Sequence, residues 1–220
     1  MNARRRPDHG PTLHHRAVAL LTAGLAAALP GAASARGPDF AQIDASSDSS
    51  TLVLVRALGD PRAADPAPLL SAAVSRWSGG EAGSVAAVKR VALLQGVHSV
   101  MVGAGVGADG WRSRSDTQRD SDAGASLRAQ AEGVGTLASA RYYALAQVST
   151  FRDTWFATAQ LEPRGAPLAI ELSRFGERSY RATTATLRLP VGAPGWSLRL
   201  GAVRDGEGRR LVVGIGYNGF

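Results

Sequence analysis

From about Val97 to the end of the chain, apolar and polar residues alternate with a period of two. That is the period of a strand whose two faces meet different surroundings. Eight segments carry the pattern and are predicted as strands: 98–107, 124–133, 137–149, 153–162, 167–175, 180–190, 196–203 and 209–218. In 137–149, Ala138, Ala140, Tyr142, Ala144, Ala146 and Val148 oppose Ser139, Arg141 and Gln147. In 196–203, Trp196, Leu198, Leu200 and Ala202 oppose Ser197 and Arg199. The separators are turn-forming: Gly133-Val134-Gly135, Pro163-Arg164-Gly165, Gly176-Glu177, Gly192-Ala193-Pro194-Gly195 and Asp205-Gly206-Glu207-Gly208. Such even spacing predicts hairpin after hairpin. The expected fold is all-β, an antiparallel up-and-down meander of about eight strands closing into a barrel over 98–220.

Residues 36–97 read as an N-terminal arm. Residues 36–49 are small and polar, the pattern of a flexible tether, and 50–58 (STLVLVRAL) make one possible strand. The stretch 59–68, with three prolines, reads as a linker. Leu69, Leu70, Ala73, Val74 and Trp77 fall at helical spacing, which predicts a short helix over 69–77 ended by Gly79-Gly80. A second short helix is predicted from Ser84 to Gln95, with Val85, Val88, Val91 and Leu94 along one side.

The first 35 residues have the three regions of a secretory signal peptide. Arg4, Arg5, Arg6 and Arg16 are basic, Ala17–Leu29 is an unbroken apolar run, and Ala33-Ser34-Ala35 offers a small-x-small cleavage site after Pro30. The apolar run is too short to span a bilayer as a helix, which needs about 20 residues. The residues after the arginines, Pro7, Asp8 and His9, do not fit a twin-arginine signal. Cleavage after Ala35 removes four arginines and one aspartate, so the chain's formal charge of +7 falls to about +4. That modest charge is carried by arginine, Lys89 being the one lysine, and it forms no basic stripe interleaved with aromatics, so nucleic acid is not an expected partner. There is no cysteine, hence no disulfide framework.

Export and alternation leave two environments for the apolar face. In a soluble barrel it turns inward and encloses an apolar ligand. In a membrane barrel it turns out to lipid and the lumen is polar. The candidate strands match the roughly 9–11 residues needed to cross a bilayer at a tilt. Trp155, Trp196, Tyr142 and Tyr217 stand on the apolar face, where interfacial girdles form. Arg128, Glu132, Arg141, Glu171, Arg188 and Arg199 stand on the other, a predicted lumen network of mixed sign. Gly214 and Gly216 on that same face leave room for bulky neighbours.

The tail Leu211–Phe220 (LVVGIGYNGF) resembles the last strand of small bacterial outer-membrane β-barrel proteins, which ends in Phe. The resemblance implies that Tyr217 and Phe220 serve as the signal for the barrel-assembly machinery, although Tyr217 is one step out of the usual register. A looser likeness is to barrels of the YaiO type from exopolysaccharide loci. The resemblance implies an exported outer-membrane protein with a structural, surface-interaction or polymer-export-supporting role, not an enzyme. Expected partners are outer-membrane lipid and lipopolysaccharide, with envelope or exopolysaccharide-export proteins beside them.

Candidate chemistry is sparse. His98 is the one histidine of the exported part, so metal sites and Ser-His-Asp arrangements are not expected, nor is any cofactor. His98-Ser99 is faintly similar to the His/Ser pairing of outer-membrane lipid hydrolases, which defines the enzymatic alternative. The loop 108–124 is the longest predicted connection. An even strand count, with both ends of the barrel periplasmic, places it outside the cell. Trp111, Arg112, Arg114, Asp116, Asp120 and Asp122 are its candidates for contact with lipopolysaccharide phosphates or a partner. Its aspartates match no calcium-loop spacing.

Overall fold

Alternation runs through twelve strands, four more than the eight expected. The computed structural model describes residues 39–59, 66–113, 120–178 and 180–219. The strands are β1 Phe40–Ala45, β2 Ser49–Ala57, β3 Leu69–Trp77, β4 Gly80–Leu94, β5 His98–Ser113, β6 Ser121–Leu137, β7 Ala140–Ser149, β8 Trp155–Pro163, β9 Ala169–Gly176, β10 Arg181–Pro190, β11 Trp196–Asp205 and β12 Gly208–Asn218. Each pairs antiparallel with the next, and β1 pairs with β12 to close the barrel. The segment read as a signal peptide and Phe220 lie outside the described residues.

The arm is therefore not an arm. Residues 50–58 form β2 as expected, but 36–49 contribute β1, and the two predicted helices are β3 and β4. The helical reading failed because alanine and valine occupy both faces of these segments. In β3, Leu70, Ala72 and Val74 share a face while Leu69 and Ala73 share the other, so a three-and-four spacing and a two spacing fit alike. Two boundaries also move. Gly133-Val134-Gly135, expected as a turn, lies within β6, and the chain reverses at Ala138, whose φ is +44°. Most of the predicted loop 108–124 is strand, since β5 runs to Ser113 and β6 starts at Ser121.

The distribution of polarity is inverted relative to a water-soluble protein. Leu211 is 79% exposed and Leu127 65%, and Val106, Leu172, Val213 and Ile43 are exposed with them. The buried set includes Arg90, Glu132, Ser126, Thr186, Arg188, Ser197 and Arg199. Residues directly opposite one another on paired strands share a face, so the register carries this inside-out arrangement around the ring. A barrel interior this charged does not fit the alternative of an enclosed apolar ligand.

At two glycines the backbone of the neighbouring strand comes especially close. A Cβ on Gly105 in β5 would lie 2.8 Å from Val88 Cα in β4, and one on Gly201 in β11 would lie 2.7 Å from Thr186 Cα in β10. Glycine at these positions lets neighbouring backbones close in on the lumen side. The two seams sit on opposite sides of the ring. At one mouth of the barrel β1 begins, β12 ends, and β2 leads to β3, β4 to β5, β6 to β7, β8 to β9 and β10 to β11; at the opposite, distal mouth β1 leads to β2, β3 to β4, β5 to β6, β7 to β8, β9 to β10 and β11 to β12.

Candidate functional site: the charged lumen

The lumen network is built on Arg199. Its Cα partner in β12 is Gly214, whose partner in β1 is Asp44, so all three face inward. Gly214 has no side chain, and the Asp44 carboxylate occupies the space a Cβ would take. Arg199 reaches across this gap, donating from Nε to Asp44 Oδ1 at 2.9 Å and from Nη2 to Oδ2 at 3.3 Å. On its other side it reaches over β10 to Glu171 of β9, with Nη1–Oε2 at 2.7 Å and Nη2–Oε1 at 2.9 Å. One guanidinium thus ties three non-adjacent strands together, and Arg199 is only 2% exposed.

Arg188 of β10 lies beside it. It donates from Nη1 to Gln160 Oε1 of β8 at 2.5 Å, and from both Nε and Nη2 to Ser197 Oγ at 3.4 Å. Farther round, Arg90 of β4 donates to the Ala67 carbonyl at 3.1 and 3.0 Å and to Glu132 Oε2 of β6 at 3.3 Å. Ala67 lies in the β2–β3 connection, so Arg90 anchors that connection at the barrel wall. Arg128 pairs with Asp109, which also accepts from Ser126 Oγ. A buried guanidinium is costly unless it is both paired and hydrogen-bonded. Arg199, Arg90 and Arg128 have carboxylates, whereas Arg188 has neutral acceptors.

Ion pairs also line the distal mouth. Arg210 of β12 meets Asp48 at 2.9 Å, Glu207 at 3.1 Å and Asp205. Tyr180, in the β9–β10 connection, donates to Asp205 Oδ2 at 2.9 Å, and burial raises its phenol above the ordinary tyrosine range, which keeps it a donor. Arg152 lies 4.1 Å over the Trp111 ring and pairs with Glu177 at 3.4 Å.

The predicted lumen residues are thereby placed. Arg128, Glu132, Glu171, Arg188 and Arg199 are buried or half-buried inside, and the room expected at Gly214 is filled by Asp44. Arg141 is on the lumen side of β7, but at the mouth nearest the chain ends, where it pairs with Glu162 and is mostly exposed. Of the predicted loop residues, Trp111 and Asp122 face each other inward and Arg112 faces outward against Glu81 at 3.5 Å. Ser113 N donates to the Asp120 carbonyl across the hairpin, while Arg114 and Asp116 lie outside the described residues. Tyr217 packs on Trp196 at 5.3 Å between centroids on the outer face. His98 stacks outward on Tyr142, with Nδ1 3.2 Å from the hydroxyl, and the next residue of the strand points inward. His98 and Ser99 therefore lie on opposite faces and cannot work as a pair.

Asp44, Arg90, Asp109 and Gln160 were not anticipated. Asp44 had a signal in the alternation of Ala41 and Ile43 with Gln42 and Asp44, too short to stand out from the polar stretch around it. Among the described residues there is no cluster of three or more side chains that could hold a metal ion.

The solved structures similar to this chain include the KdgM porin, with 14% identity and a TM-score of 0.48, over 81% of this chain and 97% of that one. The same porin in complex with disordered oligogalacturonate gives the same values. The outer membrane protein Omp33 of Acinetobacter baumannii shares 10% identity at a TM-score of 0.48, over 81% of this chain and 95% of its own. No protein-family model and no curated protein matches the sequence.

Proposed function

We propose that the protein is an outer-membrane barrel acting as a narrow channel for small polar solutes, with a mid-lumen constriction formed by Arg199 and its partners. The observation that carries this reading is the inversion of polarity: exposed leucine and valine outside, buried arginine and glutamate inside. Water favours the reverse, and lipid favours what is seen. Export by the predicted signal peptide delivers such a chain to the envelope, where the barrel-assembly machinery and lipopolysaccharide are its first partners.

Strand number bears on conduction. An eight-stranded barrel is just wide enough to be filled by its own side chains, and width grows with strand number. Twelve strands enclose more space, and the long side chains here are laid sideways along the wall by partners two strands away. The lumen charges are of both signs and nearly all matched, so the channel is expected to discriminate weakly between small anions and cations.

Arg188→Ala tests the constriction without stranding a carboxylate, because its hydrogen-bond acceptors are neutral. In planar bilayers the wild-type protein is expected to give small unitary currents, and the variant severalfold larger ones. Inserted protein that carries no current in either form would overturn the channel. It would favour the second reading, a structural barrel for surface interaction or polymer-export support, which the near-complete burial of Arg199 itself supports.

A further inference from the structure

We infer that the outer face of β9–β12 at the distal mouth binds the phosphate headgroups of an anionic lipid. Arg204 of β11 and Arg209 of β12 are direct Cα partners and both face outward. Arg204 is also opposite Thr183 of β10, which is opposite Arg174 of β9. Arg181 lies two residues from Thr183 on the same face. Four guanidiniums from four consecutive strands thus form one outward patch. No aspartate or glutamate faces outward from the described residues of these strands.

Five acids in or beside the connections that flank these strands are engaged elsewhere. Asp48, Asp205 and Glu207 hold Arg210 on the lumen side, Glu177 holds Arg152, and Asp153 holds Arg178. The outer faces of β3–β5 show the contrast. There Glu81 sits between Arg76 at 3.7 Å and Arg112 at 3.5 Å, an arginine–glutamate–arginine row with its own counter-charge. Like charges directly opposite on paired strands destabilise a sheet. The Arg204–Arg209 pair therefore calls for an anion from outside the protein.

Its level on the wall identifies the anion. The Trp196–Tyr217 pair marks one edge of the apolar band, and the Arg204–Arg209 pair stands eight residues along the same two strands. At ~3.4 Å per residue and a tilt of ~40°, the rows are separated by roughly 20 Å in height, close to the ~25 Å of an apolar barrel band. The arginines thus fall at headgroup level, directly beyond Ala202 and Leu211. Trp155 packs over Gly176 at this level, with the Arg174 guanidinium 5.6 Å from its ring. Guanidinium groups bind phosphate oxygens with paired, charge-assisted hydrogen bonds. The occupant is a lipid with phosphorylated headgroups, seated with its chains on the apolar band below.

The inference rests on the membrane reading, and the test separates the two. The full-length exported protein is first refolded into phosphatidylcholine vesicles and assayed for insertion by protease protection. Failure of the wild type to insert overturns the membrane reading itself. Inserted protein is then transferred to zwitterionic micelles, and retention of diphosphorylated lipid A and of its dephosphorylated counterpart is read by native mass spectrometry. The wild type is expected to hold the phosphorylated lipid at least tenfold more tightly. Arg204→Gln/Arg209→Gln is expected to lose roughly thirtyfold, from the usual contribution per basic residue at an anionic surface. Arg174→Gln/Arg181→Gln provides a second, independent pair, and Arg56→Gln, near the other mouth, is expected to change nothing. Equal retention of both lipids, unchanged retention by both double variants, or equal displacement by millimolar inorganic phosphate would overturn the inference.

Discussion

Arg199→Ala is expected to destabilise the folded barrel by about 3–5 kcal/mol, the usual cost of removing one partner from a buried ion pair. The loss is not mainly of the arginine's own contacts. Asp44 and Glu171 would remain in the lumen, at most 17% exposed as side chains, without the cation that lies between them. The diagnostic comparison is the triple variant Asp44→Asn/Glu171→Gln/Arg199→Met, which removes every charge of the group together. It is expected to recover much of the lost stability, because apolar or neutral replacement of a whole buried charge group is often tolerated. Urea unfolding in phosphatidylcholine vesicles, followed by tryptophan fluorescence, gives both values. A single variant as stable as the triple would show that stranded carboxylates are not the cause.

Gly201→Val is expected to abolish folding into the heat-modifiable, compact form. Its inward branch would occupy space already taken by the Thr186 backbone, with Thr186 Cα 2.7 Å and Cγ2 2.8 Å from a first added carbon. Backbone held in a paired strand cannot withdraw as a flexible side chain does. Even Gly201→Ala is expected to cost about 1–3 kcal/mol, the range for forcing extra atoms into a packed site. Gly124 of β6 is the control, because a Cβ added there would meet no atom within 4 Å. Gly124→Ala is expected to be neutral or stabilising by roughly 0.4–1 kcal/mol, through the entropy of the unfolded chain. Matching unfolding midpoints for Gly201→Ala and Gly124→Ala would refute the crowding argument.

The all-β meander was legible from Val97 onward because the two faces there differ in chemistry, with leucine and tryptophan on one and arginine, threonine and serine on the other. β11 shows it plainly: Trp196, Leu198 and Leu200 alternate with Ser197 and Arg199. β3 and β4 were opaque because Ala73, Ala86 and Val88 face the lumen, so both faces read as apolar. Losing those strands hid Arg90, and losing β1 hid Asp44. The charged members Arg199 and Glu171 were visible, but the carboxylate that completes the group lies across the closing seam, on a strand whose own alternation is too short to stand out. The strand count also changed the functional inference, since eight strands imply a filled lumen and twelve do not.

The seam between β1 and β12 has a kinetic consequence. Phe40 pairs with Asn218, so closure joins residues near the two ends of the described chain, whereas every other pairing joins neighbours in sequence. The hairpins can zip locally and quickly, but the ring shuts only after the largest loss of chain entropy in the molecule. Asp44 and Arg199 form their bridge across that seam, so their attraction acts after the hairpins have formed. Weakening the bridge by Asp44→Asn should therefore speed unfolding far more than it slows folding. It works as a clasp against reopening and contributes little to nucleation.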